Sequence, residues 1–292
     1  MSIYNELKDS FRFGSNLTKL IYINLAVFII IRFVLLFEGV KFEESFTTIF
    51  AVPSNIETLY KTPWSILTYM FLHVDFLHIL FNLLCFYWFG QLFLMFLSQR
   101  QIVGVYILGG ISGAILFILT FNLLPFFANK GIESIAIGAS ASILAVVIAV
   151  TTLKPNYSVN LLFIGPVKLK YLALITLILD ITSVLGPNAG GHIAHLGGAL
   201  FGFLYIKALA KGWDLTYPFS WFEGLGKISF RKKSKLKVDH RSANPDHDYN
   251  YRKVQKHQNI DKILDKISKS GYDSLTKEEK DTLFRMKNDS VN

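Results

Sequence analysis

A hydroxyl, several imidazoles and a carboxamide stand inside stretches of sequence that are otherwise almost wholly apolar. Gly138-Ala139-Ser140 opens a run that stays apolar to about Leu153. A serine in the first turn of a helix lies beside backbone N–H groups that no intrahelical carbonyl accepts, and at the positive end of the helix dipole. The place suits a nucleophile that must leave an oxyanion stabilised, and equally a serine that only caps or packs. His195 sits in Ala194-His195-Leu196-Gly197-Gly198, on one helical stripe with Gly198 and Gly202. That small-xxx-small pair admits a second helix at close range, and the run beginning at Gly138 is the candidate. A serine and a histidine brought together there form a minimal nucleophile–base pair. His192, one turn before His195, is an alternative base. His78 and Asn82 are four residues apart, so they share a helical face. Two such donors converging in an apolar setting would suit a developing oxyanion, or would serve as interhelical glue. No acidic residue lies close in sequence to either histidine, so a dyad without a carboxylate is expected.

The elements that must position these groups are apolar in the extreme. Of 292 residues, 52% are hydrophobic and 17% charged, against about a quarter charged in soluble proteins. The charge is unevenly spread: residues 1–210 carry 21 charged side chains, and residues 211–292 carry 30. A helix needs about 20 apolar residues to cross hydrocarbon. Six stretches are read as spans: 20–37, 76–97, 102–124, 137–153, 169–185 and 191–209. Helices are expected because backbone exposed to lipid must satisfy its own hydrogen bonds. The polar opening MSIYNELKDSFRFGS does not read as a signal peptide. Six spans put both termini on one side, with Lys8, Arg12, Lys19, Arg100, Lys154, Lys168 and Lys170; Lys41, Lys61 and Lys130 fall on the other. The bias predicts cytoplasmic termini, with a bacterial inner membrane as the expected location. One cysteine, Cys85, excludes an internal disulfide framework and reads as a packed hydrophobe.

Taken in order, His73-x4-His78-x3-Asn82, Gly138-Ala139-Ser140 and Ala194-His195-Leu196-Gly197-Gly198 resemble the rhomboid intramembrane serine proteases over roughly residues 18–210. The stretch Pro63-Trp64 … Tyr69-Met70-Phe71-Leu72-His73 is similar too. The resemblance implies an all-α, six-transmembrane-helix rhomboid-like bundle with a water-filled cavity open to the extracytoplasmic side. It implies serine endopeptidase activity on single-pass transmembrane proteins, with Ser140 as nucleophile and His195 as general base. His78, Asn82 and the Ser140 amide would form the oxyanion site, Gly138 would shape the loop, and His73 would support it. No metal or organic cofactor is implied. Three positions depart from the family pattern. Ala141 stands where glycine is usual, a methyl that would narrow the cavity. Trp64-Ser65 replaces a Trp-Arg pair, which weakens the anchoring expected of the first loop. Leu144 replaces an aromatic that stacks on the base, so another group must position His195.

Other polar groups carry weaker signals. Asp180 is read as lying near the outer interface, as a gate, or as a partner of Arg32, which otherwise snorkels. Asp75 either starts a helix or orients His78. The chain divides into a cytoplasmic N-terminal segment 1–17, the six-helix domain 18–210, a basic linker 211–258 and a small cytoplasmic helical hairpin 259–292. Arg231, Lys232, Lys233, Lys235 and Lys237 suit the anionic surface of a lipid bilayer; no pattern for nucleic acid accompanies them. In the hairpin, Ile260, Ile263, Leu264 and Ile267 recur at helical spacing and stop at Gly271. Thr276 with Glu279 opens a second short helix bearing Leu283, Phe284 and Met286; the tail suits docking on a cytoplasmic partner. Two rivals to proteolysis remain at this stage: a catalytically inactive rhomboid-like protein that binds client helices, and a small transporter or channel.

Overall fold

The computed structural model describes residues 5, 8–11, 14–38, 40–128, 134–161, 164–220, 261–281 and 283. Contacts divide the chain into two units, Met1–Ser229 and Phe230–Asn292. The first unit begins with α1 (Asn16–Glu38) and α2 (Val40–Phe50). Strand β1 (Val52–Pro53) and the short helices α3 (Ile56–Lys61) and α4 (Ser65–Thr68) lead to α5 (Phe76–Leu94) and α6 (Gln99–Leu123). After α7 (Pro125–Ala128) and β2 (Ile135–Ala136) comes α8 (Ser140–Leu153); the hairpin β3 (Ser158–Leu161) and β4 (Gly165–Lys168) follows, then α9 (Leu169–Ser183) and α10 (Ala189–Leu209).

The unit is built around α8. Its residues from Ala141 to Thr151 are all buried, and α5, α6, α9 and α10 pack round it. A polar or bulky helix would not fit there; this one is Ala, Val, Ile and Leu with a few hydroxyls. Close approach comes from glycine. A Cβ at Gly198 would strike the Ala141 carbonyl and one at Gly202 the Ala145 carbonyl, while Gly109, Gly110 and Gly113 of α6 face Ala145, Ser142 and Ala141. The stripe of small residues expected to seat one helix against another does so, between α10 and α8. The outer helices have the opposite character. Ile29, Ile30, Phe33 and Leu36 of α1, Phe76, Leu77, Phe81 and Trp88 of α5, and Leu174, Ile175, Ile178 and Leu179 of α9 are exposed. So much contiguous apolar surface fits a hydrocarbon surround and not water.

Helix is found at all six expected places, but only four are long and apolar enough to cross a membrane: Asn16–Phe37, Phe76–Leu94, Gln99–Leu123 and Ala189–Leu209. Helices α8 and α9 have 14 and 15 residues, or about 21 and 22 Å at 1.5 Å per residue. The run expected from Ile137 starts its helix only at Ser140, because Ile135–Ala136 pairs as a strand with Val52–Pro53 and Gly138 adopts φ +118°. The all-α reading thus needs two additions, β1–β2 and β3–β4, both antiparallel. Strands of two and four residues are too short to show a two-residue period in sequence.

In the second unit, a helix over residues 261–270 ends at Gly271, whose φ is +78° and whose N–H reaches the Ile267 carbonyl at 2.9 Å. Thr276 and Glu279 form the reciprocal pair expected of a capping box: Thr276 N–H donates to Glu279 at 2.7 Å, and Glu279 N–H to Thr276 Oγ1 at 3.3 Å. Lys266 Nζ adds two bonds of 2.9 Å to the same carboxylate and holds it below the usual glutamate range. The basic linker from residue 221 to 258, with its Arg231–Lys237 cluster, and Ile260, Phe284 and Met286 lie outside the described residues. So do the side chains of Lys41, Lys130 and Arg12.

Candidate active site

Ser140 is the first residue of α8. Its Oγ lies 2.6 Å from His195 Nε2, on the second turn of α10. The contact follows from the packing just described, because Gly198, three residues beyond His195, lets the two helices meet at Ala141. Both side chains are partly exposed, so the pair is not sealed from its surroundings.

The other face of the imidazole holds the main correction to the sequence reading. His195 Nδ1 lies 2.8 Å from Asp180 Oδ1 on α9, and His192 Nδ1 lies 2.8 Å from the same oxygen. Asp180 is 4% exposed and pairs with these two histidines and not with Arg32, which instead stacks over the Phe28 ring. The expected carboxylate-free dyad is replaced by a Ser–His–Asp line. An acid twelve to fifteen residues away in sequence looks remote until α9 and α10 fold back on each other across the turn at 184–188. Asp180 then faces the first two turns of α10. A polar residue four from the end of one apolar helix, with histidines four and seven into the next, was the available signal.

The line fixes a tautomer. An ionised carboxylate only accepts hydrogen bonds, so Nδ1 of His195 donates and Nε2 is left to accept from the Ser140 hydroxyl. This is the arrangement in which a base can take the serine proton. It also answers the question raised by Leu144, which is buried in the core: the group that positions His195 is Asp180.

The loop before Ser140 is held on several sides. Ser54 N–H bonds the Ser134 carbonyl at 2.8 Å, and Ser134 N–H bonds Ser54 Oγ at 2.9 Å, extending the β1–β2 pair. Gly138 N–H donates to the Tyr69 carbonyl at 3.0 Å, and Ala139 N–H to His73 Nε2 at 3.4 Å. His73 is fully buried and its ring meets that of His78 edge-on at 5.2 Å. Gly138 needs its positive φ, and a side chain there would crowd His78. A Cβ would come within 2.9 Å of His78 Cε1 and 3.2 Å of its Nε2, with Ser140 Oγ 3.8 Å away. Asn82 is buried one turn along α5 from His78. Asp75 occupies the N-cap position of α5 without a side-chain capping bond.

Two departures also find their physical account. The Ala141 methyl points to α6: it is buried, and a Cβ at Gly113 would come within 2.8 Å of it. The extra methyl therefore fills the gap left by a glycine and does not narrow the space at Ser140. The first loop is anchored without an arginine. Trp64 Nε1 donates to the Ile49 carbonyl at 3.0 Å, and Thr68 Oγ1 to the Phe50 carbonyl at 2.8 Å.

The Rhomboid domain family matches residues 60–212. This is more than half of the chain, and the chain belongs to the rhomboid family of integral membrane proteins. Over 139 residues it is 33% identical to presenilin-associated rhomboid-like protein A, mitochondrial, of Danio rerio, a match covering 47% of this chain and 35% of the relative. The chain therefore spans about a third of the length of the curated relative it matches. Residues 244–286 match a family of unknown function (DUF6576).

Proposed function

We propose that this protein is an intramembrane serine endopeptidase acting on transmembrane protein substrates. Ser140 Oγ attacks a peptide carbonyl while its proton passes to His195 Nε2. Asp180 holds the imidazole in that tautomer and stabilises the imidazolium that results. His78, Asn82 and the Ser140 amide face the oxyanion, and Gly138 leaves it room. The imidazolium protonates the leaving amine, and water releases the acyl-enzyme by the same base. The observation that carries the reading is the 2.6 Å contact between Ser140 Oγ and His195 Nε2.

The membrane arrangement belongs to the same proposal. The six expected helices cross or enter the bilayer with both termini cytoplasmic, and the charge of the basic tail suits an anionic cytoplasmic leaflet and a partner there. Helix α8 is about 9 Å shorter than a hydrocarbon core of about 30 Å. If its Leu153 end reaches one interface, Ser140 begins well inside the other, where a substrate helix must unwind to present a carbonyl.

Reconstituted protein should cleave a substrate whose transmembrane helix contains helix-breaking residues, and a serine-directed phosphonate should label Ser140. Full cleavage by Ser140→Ala would exclude the nucleophile. Absent labelling, with client helices still captured, would favour the inactive rhomboid-like alternative.

A further inference from the structure

Positioning His195 needs one carboxylate oxygen. The structure places a second imidazole, His192, on that same oxygen through the same ring atom, at the same 2.8 Å. Catalysis as proposed has no use for it. The other oxygen, Asp180 Oδ2, is buried and has no hydrogen-bond partner among the described residues. Together, His192, His195 and Asp180 each offer one ligand atom, and the three lie within 4.8 Å of one another. Two imidazoles and a carboxylate form a donor set typical of zinc and related borderline cations.

We propose that Asp180, His192 and His195 form an inhibitory site for a divalent transition-metal cation, with Zn2+ as the test ion. Ligands about 2.0 Å from a tetrahedral ion stand about 3.3 Å apart, so each 2.8 Å contact between a histidine and Asp180 needs to open by only about 0.5 Å. The spare oxygen lets the carboxylate bind without leaving its place. His192 and His195 are about a quarter exposed, which gives the ion a way in.

The inhibition follows from where the proton must go. A metal on Nδ1 of a neutral imidazole displaces its proton to Nε2. His195 then presents N–H to Ser140 in place of a lone pair, and their hydrogen bond runs in reverse. The imidazole keeps one proton throughout, and the serine has no acceptor for its own. Cation occupancy therefore switches off the base without touching the nucleophile.

The inhibitory half rests on the proteolytic reading, and the binding half does not, so the two are measured separately. In the full-length Ser140→Ala protein, Co2+ should give the visible absorption of a tetrahedral site, and Zn2+ should displace it. Adding His192→Gln, which retains a donor for Asp180, should remove one bound ion per chain. In the active protein, about 100 µM Zn2+ should lower cleavage about tenfold or more, reversibly with chelator. Mg2+, which prefers oxygen ligands, should have no effect. For His192→Gln, the ratio of rates with and without Zn2+ should return to about one. Equal metal uptake by Ser140→Ala with and without His192→Gln would overturn the site. Equal zinc sensitivity of wild type and His192→Gln would overturn the switch. Absent cleavage in zinc-free wild type would instead remove the proteolytic reading, and the Co2+ signal alone would then decide the site.

Discussion

Helix α10 meets an aspartate with its own hydrogen-bond network at each end, Asp180 buried and Asp214 partly exposed, and the two networks differ in kind. Near its C-terminal end, Asp214 receives Arg100 Nη2 at 2.5 Å, the Thr216 N–H at 2.9 Å, the Thr216 hydroxyl at 2.6 Å and the Tyr205 hydroxyl at 3.4 Å. Every partner there is a permanent donor, and the group ties the start of α6 to the end of α10. Burial pushes the Asp214 carboxyl up, but the Thr216 and Arg100 bonds outweigh it and hold the group below the usual aspartate range. Near the N-terminal end, Asp180 has, among the described residues, two imidazoles, both on one oxygen, and no partner for its second oxygen. A saturated carboxylate braces a structure; one left with titratable partners and spare capacity is available for chemistry.

The comparison is broken most severely by Ser140→Ala, for which cleavage should fall below detection while the thermal midpoint in detergent stays near wild type. Asp180→Asn should follow, lowering kcat about a hundredfold or more, because an amide no longer enforces the productive tautomer. Its effect on folding should be much smaller, a split that thermal melts beside single-turnover rates would show. Asp214→Asn should invert the pattern, with a stability loss of about 1–2 kcal/mol and unchanged cleavage per folded molecule. The sign with pH is fixed. Since folding lowers the Asp214 pKa from 3.8, its contribution is complete above that value and is lost as pH falls through the lower folded-state value. Wild type and Asp214→Asn should therefore converge in stability in acid, as melts across pH 2–6 would record. The smallest effect belongs to Ala141→Gly, about 1 kcal/mol of stability from a lost buried methyl and poorer helix propensity. It should bring no gain in rate, because that methyl sits against Gly113.

What the sequence makes readable in this molecule are contacts governed by local period. Gly198 and Gly202 announce a close helix pair, and the positions of Ser140, His195, His78 and Asn82 on their helices follow from three- and four-residue spacing. The Asp180 contact does not, because it depends on how the α9–α10 turn folds, and Asp180 taken alone is one more polar residue near a helix end. The helix expected from Ile137 begins at Ser140 for a similar reason. Ile137-Gly138-Ala139 is as apolar as the helix after it, and only the pairing of residues 135–136 with a strand more than eighty positions earlier keeps it extended. The lengths of α8 and α9 show the same limit: hydropathy measures how far apolar character runs, whereas backbone geometry decides where the helix starts.

Helix α8 has one more consequence. Since each residue from Ala141 to Thr151 faces protein, surrounding acyl chains never press on the segment that carries the serine. Changes in bilayer thickness or fluidity are met first by the rim of α1, α5 and α9 and reach the serine only after those helices have moved. The Ser140 hydroxyl thus rides on a spindle inside a greased housing, and on the proteolytic reading a change of lipid should alter how a substrate gets in before it alters the bond-breaking step.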